Sequence, residues 1–480
     1  MGESSLKEKT ARGLFFGGLS SFLQQLLNAA FGIYLARTLS QSDYGLVGML
    51  AIFTLLATVM QECGFPSALI NRKEIKHDDY NAVFWFSLLV SLACYAVPFC
   101  CAPLIARYFH QPVLTRLSRV TFLSFILVAL GTSHRTYLSK KLMIREMAMV
   151  NILAVVISGT VGVILAYKGF AYWTLVIQAL VLNALTTIGY WIFSRWRPTF
   201  HWNFTPIREM FSYGIRIWFT SMLAIVNSNF LSVFLGRKYT ADQVGNYVQG
   251  NKWSQMGVSV LTGMVTSVAQ PVLASVTEEN QRQLRVFRKM VRFAAFIAFP
   301  AMLGLAFIAT EFIPTVLTEK WNESVPLLQI LCVGAAFTPI IHVCSNLILS
   351  RGKSSAYMWS QIALFACILG LVYLLYPYGI KAIVAGITGI NALWLLVWTG
   401  LAKREIGYSF GQLLSDILPF LGISVACIAG AWLITRGIDN RVWLMVAKIL
   451  VTAALYVFVM WITKSVTFRE SVQFILRKNL

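Results

Sequence analysis

A chain of 480 residues with 58% hydrophobic residues, 12% charged residues and a mean hydropathy of +0.69 cannot be divided into water-soluble domains. Its 40 Lys and Arg against 19 Asp and Glu give a net charge of +21, but these cations sit between long apolar stretches, which excludes a nucleic-acid-binding protein. Eight cysteines lie within or at the ends of the apolar stretches with no paired metal-ligand spacing and read as small core residues; neither a metal nor a cofactor is expected.

Fourteen stretches of mostly apolar residues follow one another, each long enough to cross a hydrocarbon core of about 30 Å at about 1.5 Å per residue. They are predicted at 12–36, 44–70, 80–106, 116–137, 146–167, 171–194, 211–236, 244–270, 287–310, 325–349, 355–376, 380–401, 411–435 and 441–463. The first is too long for a signal-peptide core and is read as a membrane helix. With Met1 cytoplasmic, 26 Lys and Arg fall on inside loops and 11 outside, so both termini are predicted to be cytoplasmic. The tail 464–480, with Val466, Phe468, Val472, Phe474, Lys464, Arg469, Arg477 and Lys478, reads as a basic amphipathic helix on anionic inner-leaflet lipids.

An internal repeat organises the spans. At an offset of 200, Leu35, Arg37, Ser40 and Gly45 face Leu235, Arg237, Thr240 and Gly245, with an acidic residue, Asp43 or Asp242, just before each glycine. A weaker echo pairs Leu138, Ser139 and Lys140 with Leu349, Ser350 and Arg351, each set ending a fourth span. The prediction is therefore all-α and integral to the membrane, with about 14 transmembrane helices in two parallel six-helix lobes. The first lobe is 1–200 and the second 201–405, joined by a linker around Pro198 and Pro206; spans thirteen and fourteen (406–463) and the tail follow. Six crossings per lobe give both lobes the same orientation, which is transporter architecture.

The run from Ala36 to Gly45, then Glu62, Gly64, Phe65, Pro66, Asn71 and Arg72, together with Asn227 to Asn229, Leu235 to Arg237 and Gly245 to Trp253, resembles the Wzx-like polysaccharide exporters. That family shares a superfamily with multidrug and toxin-extrusion antiporters and the lipid II flippase. Two departures from its pattern are Glu62, where an aspartate is frequent, and Leu231 with Ser232, where an Asp-Lys pair is frequent; an ion-coupling role assigned to that pair in relatives is not transferred. The resemblance implies a flippase, not an enzyme, that turns an undecaprenyl-pyrophosphate-linked oligosaccharide from the inner to the outer leaflet of the bacterial inner membrane. It also implies a lipid-tail groove near spans thirteen and fourteen, and proximity to polymerase or ligase machinery. A lipid II-type flippase and a small-molecule antiporter are the alternatives.

Candidate substrate contacts are polar groups placed within spans. In chain order these are Gln24 and Asn28 in span one, Arg216, Asn227 and Asn229 in span seven, and Lys252 and Gln255 in span eight. An intramembrane charge is costly unless it faces a polar cavity, whereas a cation near a span end can snorkel and an amide can join helices instead. Glu62, at a depth similar to Arg216, is the candidate for a gate ion pair or ion coupling, against a protonated or structurally paired carboxyl. Arg282, Arg285, Arg288, Lys289 and Arg292 read as a solvated, phosphate-facing entry to span nine, and His134 and His342 as core groups near span ends rather than proton switches.

Overall fold

The computed structural model describes residues 22–62, 65, 66, 69, 75–141, 143–201, 203–275, 280–463, 468 and 469. These residues hold helices and no strand. The helices are α1 (22–38), α2 (Gln41–Glu62), α3 (His77–Tyr108), α4 (Leu114–Thr121), α5 (Leu123–Lys140), α6 (Ile144–Tyr167), α7 (Trp173–Phe193) and α8 (Thr205–Lys238). They continue as α9 (Ala241–Ser275), α10 (Asn280–Phe312), α11 (Ser324–Ala335), α12 (Thr338–Ser350), α13 (Ser354–Leu375), α14 (Ile380–Ile406), α15 (Phe410–Thr435) and α16 (Arg441–Ile462). Among the described residues, 11 helical segments are long and apolar enough to cross a membrane. Only helices meet every backbone hydrogen bond locally in the absence of water, which is why apolar length translates so directly into helix. Spans four and ten are each broken into two pieces, α4 with α5 and α11 with α12. The tail and most of 63–74 lie outside the described residues, as do the side chains of Glu62 and Arg216.

The chain divides into two compact units, Met1–Val248 and Gln249–Leu480, with the division inside α9. In the first unit α2 lies along α8, α3 and α7 flank α5, and α6 pairs with α7. The starts of α2 and α9 cross at two glycines. A Cβ on Gly45 would lie 1.9 Å from the Ala241 carbonyl oxygen, and one on Gly245 would lie 2.0 Å from that of Gln41. Gln41 Nε2 also donates to Asn246 Oδ1 at 3.4 Å.

Each of these helix starts is capped the same way, by a hydroxyl and a residue three positions on. The Asp43 Oδ2 accepts from the Ser40 N–H at 2.9 Å while Ser40 Oγ accepts from the Asp43 N–H at 3.2 Å. At the second site Gln243 Oε1 accepts from the Thr240 N–H at 3.2 Å and Thr240 Oγ1 accepts from the Gln243 N–H at 3.4 Å. The counterpart of Asp43 is thus Gln243 rather than Asp242, because a cap requires the i+3 position and not merely a nearby acid.

The linker after α7 runs along the start of α3. The Asn81 amide donates to the His201 carbonyl at 2.6 Å and accepts from the Thr199 N–H at 2.9 Å, and Trp85 Nε1 donates to the Thr199 carbonyl at 2.8 Å. Trp196 is buried with Phe65, Leu69, Tyr80 and Phe84.

The second unit is built around α10, which packs on α11, α15 and α16. Two ion-pair sites tie it to its neighbours. At one end Asp416 of α15, fully buried, receives Arg288 Nε and Nη2, each at 2.9 Å, and Arg292 Nε at 2.6 Å; the Tyr408 hydroxyl donates to it at 3.2 Å. The expectation of a solvated arginine face is refined for these two residues: they stay partly exposed, at 29% and 43%, while serving as the charge partners that a buried carboxylate demands. Near the other end Lys448 Nζ of α16 lies 2.8 Å from Glu311 Oε1 of α10, both side chains about nine-tenths buried.

Candidate functional site: a polar cavity in the first unit

Within the first unit, α1, α5, α6 and α7 enclose a cavity of about 580 Å³. Its lining is polar for a membrane protein: amides from Gln24, Asn28, Asn151 and Asn183, hydroxyls from Thr132, Thr136, Ser139, Thr186, Thr187 and Tyr190, and the guanidinium of Arg135. No carboxylate is among the described lining residues. The helices come close around it because small residues permit it; a Cβ on Gly131 of α5 would lie 2.9 Å from Thr187 Oγ1 of α7, and one on Gly159 of α6 would meet the Phe31 ring of α1 at 2.3 Å.

Five of these six hydroxyls, all but that of Ser139, are engaged as donors. Thr132 donates to the Val128 carbonyl at 3.1 Å, Thr136 to that of Thr132 at 2.9 Å, Thr187 across to Leu127 at 2.7 Å, and Tyr190 to Asn151 Oδ1 at 2.7 Å. Each hydroxyl oxygen keeps lone pairs, and Asn151 keeps its NH₂ group. The wall therefore offers acceptors and amide donors side by side, which is the inventory a polyhydroxylated guest needs, since each sugar hydroxyl both donates and accepts.

Of the residues singled out by sequence, Gln24 and Asn28 line this cavity. Asn227 and Asn229 sit half-buried on α8 and are not among its lining, and Asn229 Nδ2 donates back to the Ile225 carbonyl at 3.1 Å. Lys252 and Gln255 belong to the second unit, Lys252 half-buried with no ion pair among the described residues and Gln255 exposed. The adjacent Gln249 is 1% exposed, and neither atom of its amide has a hydrogen-bond partner among the described residues.

Arg135, Asn151 and Asn183 are not among the site residues expected from the sequence; Arg135 is one of the 26 Lys and Arg assigned there to the inside. The signal available for Asn151 and Asn183 was that of Gln24, an amide inside an apolar run. Lys448 and Glu311 also escaped notice, although a lysine seven residues into a span is as conspicuous as Lys252. His134 is fully buried with its ring stacked on Trp191 at 4.2 Å. Among the described residues no group of three or more His, Cys, Asp or Glu is placed to hold a metal ion. Spans thirteen and fourteen pack on each other as α15 and α16, and an apolar recess of about 530 Å³ opens between α10 and α16, lined by Pro300, Gly304, Ile308, Ile449 and Val457 with Lys448 at its edge.

Comparison with known proteins agrees with this geometry. The chain is 25% identical over 428 residues to the lipopolysaccharide biosynthesis protein WzxC of Escherichia coli K12, covering 87% of this chain and 86% of that one. It is 24% identical to the teichuronic acid biosynthesis protein TuaB of Bacillus subtilis 168, over 77% of each chain, and 22% identical to the succinoglycan biosynthesis transport protein ExoT of Rhizobium meliloti 1021, over 81% and 76%. Among solved structures, the lipid II flippase MurJ in an inward closed conformation superposes with a TM-score of 0.76 at 15% identity, covering 96% of this chain and all of that one. An inward-facing multidrug resistance MATE transporter gives 0.64 at 18% identity, covering 80% and 94%. These likenesses establish the fold. The model of the family described as polysaccharide biosynthesis protein matches residues 34–326, more than half of the sequence, and the chain belongs to that family.

Proposed function

We propose that this protein flips a lipid-linked oligosaccharide, an undecaprenyl-pyrophosphate-borne repeat unit of a surface polysaccharide, from the inner to the outer leaflet of the bacterial cytoplasmic membrane. The observation that carries the reading is the cavity of about 580 Å³, walled by amides and hydroxyls and set among helices long enough to span a bilayer. Lipid chains have no use for such a wall, and a hydrated glycan cannot cross hydrocarbon without one, because each unpaired polar group costs several kcal/mol there. Gln24, Asn28, Asn151 and Asn183 contact the glycan while the polyprenyl chain stays in the bilayer. Two six-helix lobes, 1–200 and 201–405, alternate access to the two leaflets. Lys252, Gln255, Arg216, Asn227 and Asn229 are assigned to the rest of the translocation path, and Glu62 to its gate. The inside-negative potential assists, since moving one negative charge outward is worth about 2.3 kcal/mol per 100 mV.

An antiporter of cationic drugs is disfavoured because the described lining residues include Arg135 and no carboxylate. The deciding experiment measures undecaprenyl-linked oligosaccharide facing the cytoplasm in cells lacking the protein. Accumulation, relieved by the wild-type chain, is the expected result; a null strain without accumulation and without a redundant exporter rejects the function.

A further inference from the structure

The cations at the start of α10 are arranged about one carboxylate. By the helical repeat, Arg282, Arg285, Arg288, Lys289 and Arg292 fall within an arc of about 120°. Asp416 of α15 holds two of them. Its Oδ1 accepts from Arg288 Nη2 at 2.9 Å and Arg292 Nε at 2.6 Å, while its Oδ2 accepts from Arg288 Nε at 2.9 Å and the Tyr408 hydroxyl at 3.2 Å. The carboxylate is fully buried, whereas both arginine side chains are partly exposed. Two guanidiniums around one carboxylate keep one positive charge, carried at the protein surface. After Arg292 the chain is uncharged from 293 to 310, and after Asp416 from 417 to 435, about 27 Å of helix or more in each case. The cluster thus stands where the hydrocarbon-crossing parts of α10 and α15 begin, at the depth of lipid phosphates.

We propose that Arg288 and Arg292 bind the phosphate of an anionic membrane phospholipid, with Asp416 as the group that sets their positions. The site lies outside the polar cavity and does not depend on the transport reading. A guanidinium carries five N–H donors in a planar fork, and the bonds to Asp416 use Nε and Nη2 of Arg288 and Nε of Arg292, one edge of each. Two long side chains held by a shared anchor lose little further freedom on meeting a phosphate, a cost that an untethered surface arginine must meet in full. Exposed apolar side chains, Phe293 on α10 and Leu418 on α15, continue from the cluster into the span, a neighbourhood that suits acyl chains and not a soluble phosphate. An organising carboxylate has a distinctive consequence: removing the Asp416 charge makes the site more positive and yet weakens binding.

The test measures lipid binding to the purified full chain by native mass spectrometry, with phosphatidylglycerol as the anionic probe and phosphatidylcholine as the zwitterionic one. Wild type is expected to take up one phosphatidylglycerol in preference to phosphatidylcholine. Arg292→Gln, which leaves the neutral pair of Arg288 and Asp416, is expected to weaken that binding about tenfold, the loss of a charge-assisted bond. Arg285→Gln, on the same arc but outside the cluster, should stay near wild type, and Asp416→Asn should bind more weakly. No preference for phosphatidylglycerol, or equal losses in Arg285→Gln and Arg292→Gln, overturns the site; displacement of the lipid by inorganic phosphate assigns it to a soluble anion and overturns it too. Undiminished binding by folded Asp416→Asn overturns the organising role, and where that variant does not fold, the contrast between Arg292→Gln and Arg285→Gln decides.

Discussion

Lys448 and Glu311 form an ion pair at 2.8 Å in the apolar interior of the second unit, with the lysine also 4.4 Å from the centre of the Phe307 ring. Glu311 Oε2 and Thr452 Oγ1 are buried beside it with no hydrogen-bond partner among the described residues. Coulomb attraction at this distance offsets a large loss of hydration for both groups, so the pair holds α16 to α10 only while both charges are present. Lys448→Met alone is expected to destabilise the protein by about 3–5 kcal/mol, and the double variant with Glu311→Leu by far less. Thermal unfolding of the singles and the double in one cycle checks this; additive losses would rule out an interdependent pair.

Asp416 is a second buried anion, but with two arginines and a phenol around it. Asp416→Asn should cost about 3–5 kcal/mol, because it leaves two guanidinium groups crowded without their counter-charge. The exposed pair of Arg441 and Glu319 is the contrast. Hydrogen bonds from Arg441 and Asn322 hold the Glu319 carboxyl below its ordinary pKa, yet the pair is solvated, and Glu319→Gln should leave the melting temperature unchanged.

Tyr408, in the short turn between α14 and α15, has its phenol pKa pushed up by burial and by the Asp416 charge. Its folded pKa lies above the unfolded value of about 10, so its contribution to stability is complete below that pH and is lost as the pH rises beyond it. Wild type should therefore lose stability more steeply above about pH 10 than Tyr408→Phe. Melting temperatures of both proteins from pH 8 to 11 give the comparison, and parallel curves would contradict it.

The glycine crossing predicts a steric result. Gly45→Ala and Gly245→Ala each place a methyl group against a backbone carbonyl that cannot rotate away, so each should cost about 1–3 kcal/mol. Gly263→Ala, with nothing within 4 Å, should not destabilise. Because both clashes open the same crossing, the double variant should cost less than the sum, measured by thermal unfolding.

Capping separates two acids that look alike in sequence. Asp43→Ala should cost about 1 kcal/mol through loss of its bonds to Ser40, while Asp242→Ala, outside the cap, should change little. Equal losses on thermal unfolding would show that the cap geometry does not matter.

Much of the architecture was legible because apolar length is a one-dimensional signal: within the described residues, each predicted stretch falls on a helix or on a helix broken once. The break between α4 and α5 was invisible, since Phe122 carries no helix-breaking signal and the chain stays apolar across it. The site was half legible. Gln24 and Asn28 were recognised as polar groups in an apolar setting, but their neighbours Asn151 and Asn183 lie 127 and 159 residues after Gln24, and only packing at Gly131 and Gly159 brings those helices together. Arg135 was misplaced because proximity to a span end signals a loop whether the side chain points outward or into a cavity. Pairing was the least legible feature, because Arg288 and Asp416 are 128 residues apart with nothing in either local sequence to name the other.

The reciprocal seating of Gly45 on Ala241 and of Gly245 on Gln41 is the pattern found where two identical subunits meet across a two-fold axis, each presenting the same patch to the other. Here both patches belong to one polypeptide. A true homodimer must repeat every substitution on both sides of such an interface, whereas this chain can alter one side alone. It has done so at the caps, where a carboxylate closes one helix start and an uncharged amide closes the other. The joint is therefore symmetric in shape and unequal in its capping groups, a combination open to a single chain and closed to a dimer of identical chains.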